Sequence, residues 1–341
     1  MFFDNLEKLC NLNGAAGRER VVAEEVLRQC KEYGAEAYID NLGSVIACKK
    51  GKKEPKNRIM LDAHLDEVAF ILTSVTDEGF LRFRDVGGIN PKVAIARRVV
   101  VGWDSLPGVI GTKPIHMQSD EDQNNCPEFE NMYIDIGAKD KDDALKHVHL
   151  GDPIYFAPNY TEYGDGMVVA KALDDRLGCA VLLEVMKGDL EYDTWFSFST
   201  QEECGGRGAR ATAYTIDPDV CIAVEATASG DVSGVEGANR VCVVDGGAVV
   251  SYMDGSTIYD MEMFNLAMKL GEEKGIKCQT KTQIAGGNNA GVIHFSRGGV
   301  RCIAVSGPSR YIHSPSDAVK KSDAYAVYEI VRELTNTIGE I

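Results

Sequence analysis

Residues 67–164 break the pattern of the rest of the chain, and that break constrains the fold more than any other feature. Inside it, VAFILTSV, FLRFRDV, RRVVVGW, PGVIGTK and MYIDIG follow one another as short strand-like pieces, parted by turn residues such as DEG, GGIN and SLPG. One helical piece, DDALKHV, interrupts them. Many short strands with little helix predict a small all-β, barrel-like domain. The 341 residues also exceed the roughly 250–300 that one core usually holds, which fits an insertion.

Outside the break, strand and helix alternate. Residues 3–12 and 17–33 have helical spacing, with Val21, Val22, Val26 and Leu27 on one face of the second segment. AEAYID, SVIACKK and NRIMLDAH read as strands. After residue 165 come a helix opening on acids (ALDDRLGCAVLLEVMKG), strands at TWFSFST, DVCIAVEAT and RCIAVSG, a helix with a glycine stop (MEMFNLAMKLGEEKG) and a last helix, DAYAVYEIVRELTNTI. Such alternation predicts an α/β sheet covered on both faces. The expected organisation is one discontinuous α/β domain, residues 1–66 and 165–341, interrupted by a β domain at 67–164.

A net charge of −16 argues against nucleic acid as a partner, because phosphates would be repelled without a compensating basic face. The ten cysteines form no CxxC pair and several sit in apolar runs. They are expected to be free, buried thiols of a reducing compartment. The N-terminal MFFDNLEKLCNLNG carries acids where a signal peptide needs cations, and no run approaches the ~20 apolar residues of a membrane span. The expected location is the cytoplasm.

The chemistry gathers where strand-like runs end. NRIMLDA leads into His64 and Asp66, TWFSFST into Glu202 and Glu203, VCIAV into Glu225, and RCIAVSG is followed shortly by His313. In open α/β sheets the crevice beyond the carboxyl ends of the strands binds ligands. A further carboxylate, Asp174 or its neighbour Asp175, opens a helix, where acids are also common caps. Histidines and carboxylates converging on one crevice suit a divalent cation such as zinc, cobalt or manganese. Two such ions bring four positive charges against three from Asp174, Glu203 and Glu225, and a bridging hydroxide balances the remainder. The adjacent Glu202–Glu203 pair, ordinarily a solvated turn, then has a reason to converge. His116, His147, His149 and His294 match no ligand pattern, and Cys204 has no histidine assigned to activate it.

The stretches AHLDEV (63–68), ALDDRLG (172–178), STQEECGGRGA (199–209), AVEAT (223–227) and RYIHSPSDAV (310–319), in this order, closely resemble the M42 aminopeptidases, which include the TET peptidases and proteins once labelled endoglucanases. The resemblance implies a mixed-sheet, zinc-peptidase-like catalytic domain with the inserted β domain serving dimerisation. It implies two metal ions, zinc first and cobalt or manganese next, held by His64, Glu203, Glu225 and His313, with Asp174 bridging. Asp66 would orient the imidazole of His64, and Glu202 would be the general base toward a metal-bridging water that attacks the peptide carbonyl. It further implies peptide substrates with a free N-terminus and assembly into dimers and dodecamers. The resemblance also allows a cis peptide bond at Asp174–Asp175.

Two stretches depart from the family pattern. Glu225 stands where relatives often have Asp, and AGGNNAG (285–291) puts Asn288 and Asn289 where relatives often have Thr and Asp. A glycosidase reading fails because it needs two carboxylates flanking a sugar rather than histidines among acids. The rival readings are a di-metal deacylase or carboxypeptidase, and a non-catalytic oligomeric scaffold of the same fold.

Overall fold

A computed structural model describes residues 2–120 and 124–340. The strands preceding the barrel are β1 (Glu36–Ile39), β2 (Val45–Lys49) and β3 (Ile59–His64). Next come β4 (Ala69–Val75), β5 (Leu81–Val86), β6 (Arg98–Val101), β7 (Leu106–Gly111), β8 (Tyr133–Asp135) and β9 (Pro153–Phe156). These six close on themselves in the order β4-β5-β8-β7-β6-β9. Phe70 holds the barrel interior together, lying edge-on to Phe83, Phe129 and Phe156 with ring centroids 5.0, 5.5 and 5.4 Å away, contacts worth about 0.5–1.5 kcal/mol each beyond the area they bury. The sequence reading lacks β9, whose four residues begin at Pro153, stop just short of Pro158 and offer no period to read.

The remaining strands are β10 (Thr161–Tyr163), β11 (Met167–Ala170), β12 (Thr194–Ser199), β13 (Val220–Ala228), β14 (Ala248–Ser251), β15 (Cys278–Thr280), β16 (Arg301–Arg310) and β17 (Asp317–Lys320). With β1–β3 they build an eleven-stranded mixed sheet along the path β1-β2-β12-β3-β13-β16-β17-β11-β10, while β14 pairs β16 and β15. The four neighbours β12, β3, β13 and β16 run parallel to one another. They are buried almost throughout because both of their faces are covered. The larger core lies between one face and the helices Phe2–Asn11, Leu173–Lys187, Met261–Lys274 and Lys321–Thr335. Helices Arg207–Ile216 and Ala290–Ile293 cover the opposite face.

Local signals explain the helix ends. Asp260 accepts the backbone N–H groups of Glu262 and Met263, and Gly275, at φ 68°, stops the same helix in the left-handed conformation. Helix Leu173–Lys187 lies so close to β13 that a Cβ at Gly178 would stand 2.7 Å from the carbonyl oxygen of Val224. That contact sets Asp174, at the start of the helix, against the end of β13. No helix among the described residues is long and apolar enough to cross a membrane.

Candidate metal centre

The parallel register brings sequence-distant residues level. Asp62 of β3 pairs with Ala223 of β13, so the same offset two residues further on aligns His64 with Glu225. His64 pairs with Ser199 of β12, and Glu225 with Ser306 of β16. Beyond Ser199 the chain turns through Gln201, at φ 58°, to Glu202 and Glu203. Beyond β16 it turns through His313, also at φ 58°. Left-handed backbone at non-glycine residues costs about 1–3 kcal/mol and persists where the surroundings impose it.

The side chains form two triads that share Asp174. In the first, Nε2 of His64 lies 3.2 Å from Oδ1 of Asp174 and 3.6 Å from Oε2 of Glu225. In the second, Nε2 of His313 lies 3.3 Å from Oδ2 of Asp174 and 3.5 Å from Oε1 of Glu203. Each oxygen of Asp174 therefore faces a different histidine. Ligands bound at about 2.0–2.2 Å around a tetrahedral cation stand roughly 3.3–3.6 Å apart, close to the 3.2–3.6 Å found here. The carboxylate of Glu202 approaches His64 and Glu203 within 4.8 Å.

Groups behind the triads fix their orientation. Nδ1 of His64 lies 3.1 Å from the carbonyl oxygen of Asp66, and Nδ1 of His313 lies 2.8 Å from that of Gly88. A carbonyl accepts only from N–H, so both rings carry their proton on Nδ1 and turn Nε2 toward the acids. A neutral Nε2 lone pair facing a carboxylate oxygen is repulsive unless a proton or a cation lies between them. The Asp66 carboxylate accepts the N–H groups of Glu202 and Glu203, both at 3.0 Å. It also approaches His64 Nδ1 at 3.5 Å, so it serves the acid pair at least as directly as the imidazole. Asp175 turns away from the centre and accepts the N–H groups of His64 at 3.2 Å and Gly178 at 2.9 Å. The Asp174–Asp175 peptide bond is cis.

The electrostatics point the same way. Burial, together with the charges of Asp174 and Asp66, pushes the Glu202 carboxyl up to about 7. Burial and the Asp174 charge push Glu203 up to about 8, and burial and Asp175 hold Glu225 well above the usual carboxylate range. The hydrogen bond to Asp174 raises His313 to about 9, against the opposing effect of burial. Without cations, then, this cluster retains protons, and divalent charge would displace them. One oxygen of Glu225, Oε1, is buried with no hydrogen-bond partner. An orphaned anionic oxygen beside a histidine and a shared aspartate fits a cation site.

Several supporting residues carry no sequence signal as isolated positions. Glu67, beneath the cluster, is buried against Lys171 at 2.7 Å and Arg176 at 3.5 Å. Only the charges flanking ALDD, in an otherwise apolar stretch, hint at it. Asn289 donates to Asp62 at 2.7 Å and to Ser199 at 2.8 Å. An aspartate there would oppose the buried Asp62 carboxylate, so this departure from the family pattern suits its own surroundings and lies behind the triads. Asn288 donates to the hydroxyl of Tyr259 at 2.9 Å and lines the cavity. His116, His147, His149 and His294 join no such cluster among the described residues.

Comparisons with known proteins identify the family of this chain. Residues 43–330 match the family model for M42 glutamyl aminopeptidases. A protein of Acetivibrio thermocellus named as a candidate aminopeptidase is 37% identical, over 94% of this chain and 94% of its own length. A lysyl aminopeptidase of Pyrococcus furiosus is 29% identical over 98% of this chain and 93% of its own. Among solved structures, the TET1 peptidase of Pyrococcus horikoshii, described as assembling into a tetrahedron or a large octahedral shell, superposes with a TM-score of 0.86 at 30% identity. That match covers 99% of this chain and all of the other.

Proposed function

This chain belongs to the M42 glutamyl aminopeptidase family, and on that premise we propose that it removes N-terminal residues from short peptides at a centre of two divalent cations. The observation that carries this reading is Asp174, whose two oxygens face two separate histidine–carboxylate pairs at tetrahedral spacing. His64 and Glu225 would hold one cation and His313 and Glu203 the other, with Asp174 common to both. Two imidazoles among carboxylates favour zinc, with cobalt or manganese next. Cations held there supply a lowered pKa to water and polarisation to a peptide carbonyl.

The protein's own groups do the rest. Glu202, adjacent to the centre without belonging to the Asp174 triads, accepts a proton from the attacking water and passes it to the departing amine. Asp66 holds Glu202 and Glu203 by their backbone amides. The carbonyls of Asp66 and Gly88 keep both imidazoles in the tautomer that offers Nε2 to a cation. Chelator-treated protein is expected to lose hydrolysis of aminoacyl p-nitroanilides and to regain it on adding zinc, cobalt or manganese. An N-acetylated substrate should resist cleavage. Cleavage of the acetylated substrate, or full activity with metal removed, would overturn the reading.

We further propose that residues 67–164 are a dimerisation domain and that dimers assemble into a larger shell, as described for the Pyrococcus horikoshii relative. Ile115, Met117, Trp103 and Leu150 of this segment are exposed by 73%, 61%, 59% and 64%, an apolar surface that association would cover. Trp103 and Leu150 also face Ile39 and Leu42 across an 850 Å³ groove. Light scattering in zinc-containing buffer should give a multiple of the 37.1 kDa chain. A monomer mass would exclude the assembly. All ten cysteines are free, six of them buried, which supports a cytoplasmic setting.

A further inference from the structure

Past the end of β12 the backbone N–H groups of Thr200, Gln201, Glu202 and Glu203 are all received by side chains from elsewhere in the chain. Ser44 accepts that of Thr200 at 3.2 Å, Glu19 that of Gln201 at 3.0 Å, and Asp66 those of Glu202 and Glu203, both at 3.0 Å. The carbonyls of Thr200, Gln201 and Glu202 are met inside the turn by the N–H groups of Gly205, Gly206, Arg207 and Gly208. The turn therefore satisfies its own acceptors but depends on outside groups for its donors.

Glu19 is the most distant of those groups in sequence. It stands just ahead of helix Arg20–Glu32, 182 residues from Gln201, and its exposure is only 4%. The oxygen that accepts from Gln201 also accepts the N–H of Gly17 at 2.8 Å. The segment carrying it is clamped to the turn carrying Asp66. Glu67 accepts the N–H of Gly14 at 3.0 Å and donates its own to the Gly14 carbonyl at 2.9 Å. Gln201 takes φ 58°, which a non-glycine residue keeps only where its surroundings impose it. The contact with Glu19 supplies that constraint at the residue next to Glu202.

Glu202 needs the constraint more than Glu203 does. A cation would hold the Glu203 carboxylate beside His313 and Asp174. No hydrogen bond or ion pair to another described residue holds that of Glu202, which lines the 290 Å³ cavity opening from the centre. We propose that Glu19 is a positioning residue, fixing the Gln201 turn so that the Glu202 carboxylate stays aimed at the water it deprotonates. This rests on the aminopeptidase reading, in which Glu202 is the base.

The test uses full-length, metal-reconstituted protein and the aminoacyl p-nitroanilide that the parent cuts fastest. Glu19→Ala should lower kcat about 10- to 100-fold, as expected for misplacing a reacting group by about an ångström, and change KM less than about threefold. Metal content should stay at the parental level. Glu19→Gln, which keeps an acceptor oxygen for the Gln201 amide, should recover most of the loss. In the Glu202→Gln background Glu19→Ala should cost nothing further, because the group it places is already gone. Amide hydrogen exchange should quicken across residues 200–204 of Glu19→Ala and stay unchanged around Glu225. Should Glu19→Ala not fold, Glu19→Asp takes its place, since it keeps the charge but draws the oxygen back by one methylene. An equal fold-loss in both backgrounds would overturn the assignment. So would a loss confined to KM or to metal content, or a Glu19→Gln protein as slow as Glu19→Ala. If the reconstituted parent cuts no anilide, the hydrolytic reading fails instead, and exchange across 200–204 still decides whether Glu19 holds the turn.

Discussion

Asp174→Asn is expected to empty both cation sites at once and to lower kcat/KM by about 10³–10⁴-fold. Changing a group that only orients a metal ligand typically costs about 10–100-fold in affinity or activity. Asp174 faces both histidines directly, so its loss acts on two sites together. The amide is isosteric but brings a neutral oxygen and an N–H donor, one of which must point at an Nε2 lone pair or a cation. Metal content by plasma mass spectrometry is the primary readout, with circular dichroism reporting whether the fold is kept. A folded Asp174→Asn protein that still binds two metal equivalents would eliminate the shared-ligand geometry, whatever its activity.

Glu202→Gln should separate binding from turnover. The substitution keeps shape and leaves both Asp174 triads intact, so metal content should match the parent. Turnover should fall about 10²–10⁴-fold, the usual contribution of a positioned general base. The pH profile supplies a second readout. A carboxylate base works only when deprotonated, so activity in the parent falls as pH drops through its pKa. Burial sets that value at about 7 without cations. Divalent charge nearby favours the ionised form and moves the acid limb below that. Glu202→Gln should lose this limb altogether. A variant with near-parental turnover, or one that retains the limb, would remove Glu202 from the role.

Much of the fold is visible in the chain because its two textures differ. The barrel strands VAFILTSV and FLRFRDV, and the sheet strands NRIMLDAH, TWFSFST and RCIAVSG, are short apolar runs bounded by turn residues. Long helices such as DAYAVYEIVRELTNTI keep their period. Strands of three or four residues, such as β9, β10, β14 and β15, are too short to show one. At the centre, each candidate ligand sits at the end of a readable strand or at the start of a readable helix, which is why the set could be assembled from the sequence. The tie between Asp66 and the two amides could not, because a carboxylate accepting backbone N–H groups leaves no residue pattern. Spacing alone leaves Asp174 and Asp175 equivalent; the family resemblance singles out Asp174, and in the structure it is Asp174 that faces the two histidines while Asp175 turns to backbone N–H groups.

One contact reaches further than its size suggests. The carbonyl that orients His313 belongs to Gly88, in the inserted segment between β5 and β6, while His313 belongs to the catalytic domain. The segment proposed above to meet neighbouring subunits thus also steadies one of the imidazoles. Tilting it would withdraw that carbonyl and let the ring rotate, so in the proposed assembly quaternary packing and chemical competence would share a mechanical linkage. On the assembly proposed above, a subunit outside its shell would be the weaker peptidase.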